Sequence, residues 1–365
     1  MIPMNGFLRE PEALRREELA AVEHVLRSGW YILGKEVEAF EKQWAGTVGT
    51  RHAVGVGNGM DAIEIGLRAL GVGPGDEVVT TPMTAFASVL AILRAGATPV
   101  LADIDPATAL TDMESVKRCL TRKTRAVLLV HLYGQADRLD AWQKLCKDAG
   151  VHLVEDCAQA HLAAWSGVRA GAAGAVGAFS FYPTKNLGAI GDGGALTTSD
   201  EGIAAKARQL RNYGQSVRYH HPELGMNSRL DEIQAAMLSV RLKLLEEFTE
   251  RKKIIARAYR KGIANPRIRL LAAPAQDSSH VYHLFVVTCD ERDRLAEHLR
   301  ERGVETLIHY PIPVHLQPPC TGVRRDPAGL KSAETHGRTC LSIPCHPQLS
   351  DDEVASVVQA LNEFR

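Results

Sequence analysis

Between about residues 50 and 200, short apolar runs alternate with segments in which apolar residues recur at helical spacing. This alternation is typical of an α/β domain whose mostly parallel sheet is covered on both faces. The last two runs are separated by a turn-rich stretch and no helix, so one of those strands can be antiparallel. The seven predicted strands are "HAVGVG", "DEVVTTP", "TPVLADI", "RAVLLVHL", "VHLVED", "GAFSF" and "GGALTT".

A long helical segment marks the change to a second part of the chain. Helical spacing continues through "NSRLDEIQAAMLSVRLKLLEEFTERKKIIARAYRKGI", which predicts one long helix or two joined helices. We therefore expect a large domain at 1–245, with an N-terminal helix, and a small α+β domain at 246–365. The small domain's predicted elements are a strand in "HVYHLFVVTC", a helix in "DRLAEHLRERG", a strand that runs into a proline-stiffened loop in "ETLIHYPIPVH", and a capped terminal helix in "SDDEVASVVQALNEF".

Length and composition agree with two domains. The chain has 365 residues, of which 45% are hydrophobic and 24% are charged, and domains commonly have about 150 residues. Lysine plus arginine equals aspartate plus glutamate at 43 each, so no net field favours nucleic acid or an anionic membrane. We expect a small ligand whose charges are met locally.

Targeting and redox signals are absent from the pattern. The opening of the chain has no long apolar core of a signal peptide, and no apolar run reaches the roughly 18 residues of a membrane span. We therefore expect a cytosolic protein. The seven cysteines are scattered and include no CxxC pair, which argues against a disulfide framework or a zinc knuckle. We expect buried free thiols and no metal.

Candidate chemistry lies where the predicted strands end, because ligands of open α/β sheets gather at the carboxyl edge. Gly55, Gly57 and Gly59 lie between a strand and a helix. The first N–H groups of that helix, around Met60 and Asp61, can hold a phosphate. The glycines do not match the GxGxxG fingerprint of dinucleotide-binding proteins, and a tight strand-to-helix turn explains them equally well.

Two further strand ends carry charged side chains. Glu155 and Asp156 end a buried strand, where a carboxylate either caps the next segment or faces a ligand cation. Lys185 follows "FSF" in a loop of aromatic and glycine residues that is unlike a solvated face. A lone lysine is usually a surface charge, but a partly desolvated lysine amine has a lowered pKa and can form a Schiff base.

The start of the long helix, "GMNSRLDEIQ", is another candidate anion site. Asn227, Ser228 and Arg229 either cap the helix and form a surface salt bridge, or bind an anion. A phosphate-binding helix start, a strand-end aspartate, an aromatic ring and a lysine are together the parts needed to use pyridoxal phosphate. The rival cofactor, a nicotinamide dinucleotide, leaves the lysine and the aspartate unexplained.

Five motifs, in this order and spacing, resemble those of the DegT family of sugar aminotransferases, which have the aspartate-aminotransferase fold. They are "GVGNGMDA", "VEDCAQAH", "FSFYPTKNLGAIGDGGA", "RNYGQS" and "NSRLDEIQAA". The resemblance extends from "SGWYILG" near residue 28 to "LSIPCHPQLSDDEV" near residue 341. It implies the type I fold of pyridoxal 5'-phosphate enzymes, with pyridoxamine 5'-phosphate formed during turnover.

The resemblance also implies roles for individual residues. Lys185 would form the Schiff base with the cofactor and then act as acid and base in the 1,3-proton shift. Asp156 would keep the pyridine nitrogen protonated, and Gln159 would contact the phenolic oxygen. The residues that would hold the phosphate are Gly59, Met60, Asp61, Ser180 and, from the neighbouring subunit, Asn227.

Phe86 in "TPMTAFAS" is the candidate ring to stack on the cofactor, with a one-residue slip from the usual threonine-aromatic pattern. Two other departures from the family are Met60, where a hydroxyl residue is common, and Leu162, where glycine is common. The candidates for contact with the sugar nucleotide are Trp30, Tyr31, His309, Tyr310 and His315.

The function implied by the resemblance is a ping-pong transfer of an amino group. An amino acid, by resemblance glutamate, would aminate the cofactor, which would then aminate a ketone on a nucleotide-linked sugar. The fragments "HLYGQ" and "IHYPIPVHLQ" are most similar to those of enzymes acting on dTDP-3-keto-6-deoxyhexoses. The alternatives are a 4-keto sugar linked to dTDP, UDP or GDP, and a regulatory protein that binds the cofactor without turnover. The resemblance further implies a homodimer with shared active sites.

Overall fold

A computed structural model describes all 365 residues. Its helices, α1 to α12 in chain order, are Glu12–Ser28, Lys35–Val48, Gly59–Ala69, Phe86–Arg94, Met113–Cys119, Leu139–Ala149, Glu201–Leu210, Glu232–Leu242, Leu245–Gly262, Arg292–Glu301, Lys331–Thr339 and Asp351–Asn362. Its strands, β1 to β13, are His52–Val56, Glu77–Thr80, Thr98–Leu101, Thr124–Val130, His152–Asp156, Ala164–Trp165, Val168–Arg169, Val176–Ser180, Gly194–Thr198, Arg269–Leu270, Phe285–Thr288, Arg324–Arg325 and Cys340–Ile343.

An eight-stranded sheet forms the centre of the molecule, in the order β1-β9-β8-β5-β4-β2-β3-β12. Strand β9 is antiparallel to both of its neighbours, and the other neighbouring pairs are parallel. The seven predicted strands are confirmed, and the loop connection before β9 reverses its direction as the missing helix indicated. The eighth strand, β12, is a two-residue edge strand that no apolar run predicted.

Helices cover the sheet on both faces, as a buried parallel sheet requires. On one face, α2, α6 and α8 pack over a core that contains Phe40, Trp44 and Phe181. On the other face, α3, α4 and α7 pack over a second core, which contains Ile65 and Ile92. The two cores leave the carboxyl edge of the sheet uncovered by helices, and the loops lie there.

The long helical segment forms two helices, α8 and α9, which are interrupted at Lys243 and Leu244. Helix α9 contributes Ile255, Ala256 and Tyr259 to a third core, and the other buried residues of that core follow α9 and extend to Phe364. The domain boundary at residue 245 stays a prediction, because the N-terminus crosses to the same region. There Ile2 pairs with Val304.

In the C-terminal region, β10, β11 and β13 form a three-stranded antiparallel sheet. Helix α12 begins with a capping box between Ser350 and Glu353, as predicted. The predicted strand in "ETLIHYPIPVH" is wrong, because only Leu307 pairs, in a single bridge to Ser342. Pro311 and Pro313 have no N–H to continue a ladder.

No helix of the structure combines the length and the apolar character that a membrane crossing demands. The cytosolic location stays a prediction. All seven cysteines are buried and unpaired, as expected.

Candidate active site

The register of the sheet brings the candidate residues to one edge. Val56 at the end of β1 lies opposite Gly194, and Gly194 lies opposite Ser180 at the end of β8. Asp156 at the end of β5 lies opposite Ala178, two residues before Ser180. Residues that are more than 120 positions apart in the sequence therefore meet at the carboxyl edge of the sheet.

A cradle for an anion is formed by the start of α3 and the end of β8. A Cβ atom on Gly59 would lie 2.7 Å from Cβ of Ser180, so glycine is required for the two elements to approach this closely. The Gly59 and Met60 N–H groups are in the first turn and have no intrahelical acceptor. The Asp61 N–H already donates to the capping Oδ1 of Asn58 at 2.9 Å. The available backbone donors are therefore Gly59 and Met60, one residue earlier than the pair expected.

The side chain of Asp61 is hydrogen-bonded within the fold and is not available to bind a phosphate. Its Oδ2 accepts from Ser228 Oγ at 2.7 Å and from Asn58 Nδ2 at 3.0 Å. Ser228 Oγ also accepts from the N–H of Gly57 at 2.9 Å. Asp61 thus joins the glycine-rich turn to the segment before α8.

The two carboxylates that end β5 have different surroundings. Glu155 is fully buried, contacts His131 Nε2 at 2.8 Å and accepts from the N–H groups of Ala173 and Gly174. Both carboxylate oxygens therefore accept hydrogen bonds within the fold. The group of His131, Glu155 and Cys157 needs no metal ion to satisfy this carboxylate.

Asp156 keeps a smaller set of partners. Its Oδ2 accepts from Ser88 Oγ at 2.7 Å, and its Oδ1 accepts from the Ala158 N–H at 3.1 Å. The second bond is the capping interaction that the sequence left open. The first is supported by Thr84, whose hydroxyl lies 2.7 Å from Ser88 Oγ. These bonds orient Asp156 without neutralising it.

Lys185 lies in a tight turn after β8. A Cβ atom on Gly188 would lie 2.2 Å from the carbonyl oxygen of Pro183, so the loop folds back closely on itself. The lysine amine forms no ion pair. Burial lowers the pKa of Lys185 to about 8, and the attraction of Asp156 opposes this shift. The amine is therefore partly neutral near physiological pH, as a nucleophile needs to be.

Gln159 is buried beside residues from the C-terminal region. Its Oε1 accepts from the Tyr133 N–H at 2.6 Å, and its Nε2 donates to Tyr310 Oη at 3.3 Å. The Tyr133 hydroxyl in turn donates to the carbonyl oxygen of His309. The structure thus brings three predicted residues, Gln159, His309 and Tyr310, into one network.

Burial is the main cause of the shifted pKa values of two residues in this network, Tyr310 and His309. Burial raises the pKa of Tyr310 to about 12, so its hydroxyl keeps its proton. Burial, together with repulsion from Lys185, lowers the pKa of His309 to about 4. His309 is therefore a neutral ring near Lys185, and its Nδ1 lies 2.9 Å from Ser342 Oγ.

Trp30 and Tyr31 are exposed, with 62% and 48% of their surface accessible. Their segment is held by Glu232, whose carboxylate accepts from the N–H groups of Gly34, Glu36 and Val37 at 2.8 to 3.0 Å. The Glu232 N–H donates back to the Tyr31 carbonyl at 3.1 Å. The sequence motif around Trp30 is therefore tied to the start of α8.

The structure does not bring the other predicted residues into this network. Phe86 packs beside Val89 and Val314 in a small apolar cluster, and no contact joins it to Lys185. The buried ring of His315 is engaged by Glu334, with Nε2 and Oε1 3.1 Å apart. Asn227 is exposed and pairs with Asn212. The roles expected for these three residues stay predictions.

Leu162 has a φ of 71°, in the left-handed region that glycine adopts at no steric cost. This explains why glycine is common here among the relatives expected from the motifs. The leucine side chain packs against the core under the sheet instead.

The cradle, the strand-end aspartate and the uncompensated lysine fit the three polar ends of pyridoxal phosphate, namely phosphate, pyridine nitrogen and aldehyde. Comparison with known proteins agrees. The profile of the DegT/DnrJ/EryC1/StrS aminotransferase family matches residues 12–362. The chain belongs to this family. The predicted family, aminotransferase activity and pyridoxal phosphate cofactor are thereby confirmed.

Two curated relatives and one solved structure are similar to this chain over nearly its whole length. A Streptomyces venezuelae protein named dTDP-3-amino-3,4,6-trideoxy-alpha-D-glucose transaminase is 46% identical over 100% of this chain and 96% of its own. The "Pleiotropic regulatory protein" of Geobacillus stearothermophilus is 40% identical over 100% and 98%. The crystal structure of S. venezuelae DesV in complex with a ketimine intermediate has a TM-score of 0.95 at 45% identity, covering 99% and 98%. The aspartate-aminotransferase-like fold is thereby confirmed.

Gly59→Ala should weaken cofactor binding, because the added Cβ atom forces the start of α3 away from Ser180. We expect the Kd for pyridoxal phosphate, measured by fluorescence titration, to rise by about tenfold or more. Gly46→Ala on α2 is the matched control, since nothing lies within 4 Å of its added Cβ atom. Equal Kd values for Gly59→Ala and the wild type would contradict the assignment of the cradle.

The rate at which cofactor-free protein binds pyridoxal phosphate covalently should follow the neutral fraction of Lys185. With a pKa of about 8, that fraction rises from about a tenth at pH 7 to about nine tenths at pH 9. We expect the rate, followed by visible absorbance, to rise over this interval and level off above it. A rate that keeps rising beyond pH 10 would indicate an ordinary exposed lysine.

Proposed function

We propose that the protein transfers the amino group of an amino acid, favoured as L-glutamate, to the keto carbon of a nucleotide-linked sugar. The favoured acceptor is a dTDP-3-keto-6-deoxyhexose. The observation that carries this proposal is the half-buried Lys185, whose desolvated amine has no ion-pair partner and lies at the same sheet edge as Asp156 and the Gly59 cradle. The dTDP-3-amino-sugar transaminase named above supports the choice of sugar.

Each residue of the site performs one task in this proposal. Pyridoxal phosphate, when bound, supplies a ring that accepts the electron pair left at the carbon next to the amino nitrogen. Asp156 would keep a proton on the ring nitrogen, and Gly59, Met60 and Ser180 would bind the phosphate. Lys185 Nζ would move the proton that the transfer requires, as base and then as acid, in one direction for the amino-acid donor and in the opposite direction for the sugar.

The same proposal includes a homodimer with shared active sites. Large aromatic side chains are exposed at Trp30, Tyr31, Tyr182, Tyr213 and Tyr219. In a single copy of the chain they have accessible apolar surface that contact with a second copy would bury. Asn227 lies in this region and is exposed, which suits a contact with the phosphate held by a second copy of the chain.

The regulatory alternative, a protein that binds the cofactor without turnover, is not favoured, because the chain belongs to an aminotransferase family. The regulatory name of the Geobacillus stearothermophilus relative is a statement about that protein.

Mixing the cofactor-loaded protein with L-glutamate and no sugar tests L-glutamate as the amino donor. We expect loss of the visible absorbance of the lysine-bound cofactor and release of one equivalent of 2-oxoglutarate, since the amino group moves to the cofactor. Lys185→Ala should abolish the conversion, whereas Lys253→Ala, which removes a lysine paired with Asp277, should not. Unchanged absorbance and no 2-oxoglutarate in the wild type would exclude L-glutamate as the donor.

The pyridoxamine form of the protein should then react at different rates with different keto sugars. We expect dTDP-3-keto-6-deoxyhexose to restore the visible absorbance about tenfold faster or more than dTDP-4-keto, UDP-linked or GDP-linked sugars, because buried polar groups discriminate strongly between positions of a carbonyl. A faster reaction with a 4-keto sugar would overturn the assignment of the ketone and leave aminotransfer intact.

A further inference from the structure

Lys252 on α9 is a buried cation that the proposed function does not use. Only 6% of its surface is accessible, and its amine forms no ion pair. Its hydrogen-bond acceptors are Asn186 Oδ1 at 3.1 Å and the carbonyl oxygen of His283 at 3.3 Å. Burying a lysine with neutral partners alone is costly, so its position calls for an explanation.

The side chain that Lys252 holds belongs to the residue next to Lys185. Asn186 Oδ1 also lies 3.3 Å from His283 Nδ1, and Asn186 Nδ2 donates to the carbonyl oxygen of Val281 at 3.1 Å. Both ends of the amide are therefore held by α9 and by the segment 281–283. This is a side-chain anchor for the Lys185 turn that comes from outside the central sheet.

The surroundings of the anchor are rich in basic groups. A cavity of about 120 Å³ separates the N-terminal segment from the Lys185 turn, and Lys185, Lys252, His283, His309, His346 and Cys345 are among its lining residues. Arg241 and Glu10 also line the cavity, and they form an ion pair with each other at 2.7 Å. No other carboxylate lines it.

The titration of these groups is consistent with a fixed arrangement of neutral rings around the two amines. Burial lowers the pKa of Lys252 to about 8, and the nearby Cys345 opposes the shift. Burial, followed by repulsion from Lys185 and Lys252, lowers the pKa of His283. Burial also lowers the pKa of His346 and raises the pKa of Cys345 to about 11.

We propose that Lys252 is a positioning residue for amino transfer, which holds Asn186 and thereby aims the amine of Lys185 at the cofactor. The inference rests on the proposed function. Lys185 and Asn186 are consecutive residues, so an Asn186 side chain that is fixed by hydrogen bonds limits the movement of the Lys185 backbone. A displacement of about 1 Å at a reacting group can lower a rate about a hundredfold.

Lys252→Met keeps the length of the side chain and removes both its hydrogen bonds and its charge. We expect kcat of the glutamate half-reaction to fall by about tenfold or more, with KM for glutamate nearly unchanged. The pH midpoint of the visible absorbance of the lysine-bound cofactor should move to higher pH, because a nearby positive charge has been removed. Lys252→Arg, which keeps a charged donor, should restore both properties in part.

Two further variants complete the test. Lys253→Met is the matched control, since Lys253 is the next residue on α9 and pairs with Asp277; its kcat and midpoint should equal those of the wild type. Asn186→Ala removes the other half of the contact. It should lower kcat as Lys252→Met does, and the double variant should be no worse than either single one, because the two residues act through one contact.

Wild-type values of kcat and pH midpoint in folded Lys252→Met would overturn the proposal. If Lys252→Met fails to fold, by circular dichroism, Asn186→Ala decides, and wild-type kcat in that variant would overturn the proposal equally. A wild-type protein that does not convert glutamate would overturn the proposed function instead, so the two failures are distinguishable.

Discussion

The partial desolvation of the half-buried Lys185 amine, without an ion-pair partner, is the constraint on which the site depends. In a low-dielectric setting the charged form of an amine is disfavoured, and the pKa of about 8 reflects that balance. A carboxylate in direct contact would have restored the charge and ended its nucleophilicity. The surrounding turn therefore supplies neutral groups, and Asp156 acts on the lysine only through space.

The strand register of the sheet fixes the relative positions of the residues at this edge. Because β9 runs antiparallel between β1 and β8, the ends of those strands are brought into register across Gly194. A Cβ atom on Gly194 would lie 2.4 Å from the backbone of Asn58, so this crossing also requires glycine. Small residues at the edge allow backbone, rather than flexible side chains, to define the space for the phosphate.

The strands of the central sheet and the candidate lysine could be predicted from the sequence because their signals are local. Each of the seven strands is a continuous apolar run, and Lys185 stands out against its own neighbours. Glu232 and Lys252 had no such signal, since their partners Gly34 and Asn186 lie 198 and 66 positions away. On α8 and α9 they were indistinguishable from the charged residues of a solvated face. The strand predicted around His309 failed because only Leu307 finds a pairing partner, Ser342, and the prolines that follow cannot extend a ladder.

The segment from Ser228 to Glu232 is bound at both of its ends. Ser228 is joined to the glycine-rich turn through Asp61, and Glu232 is joined to the backbone around Gly34. The segment that carries Trp30 and the turn that carries Gly59 are therefore linked by hydrogen bonds through residues 228–232. A substitution that breaks either end of this link would uncouple the position of Trp30 from that of the cradle.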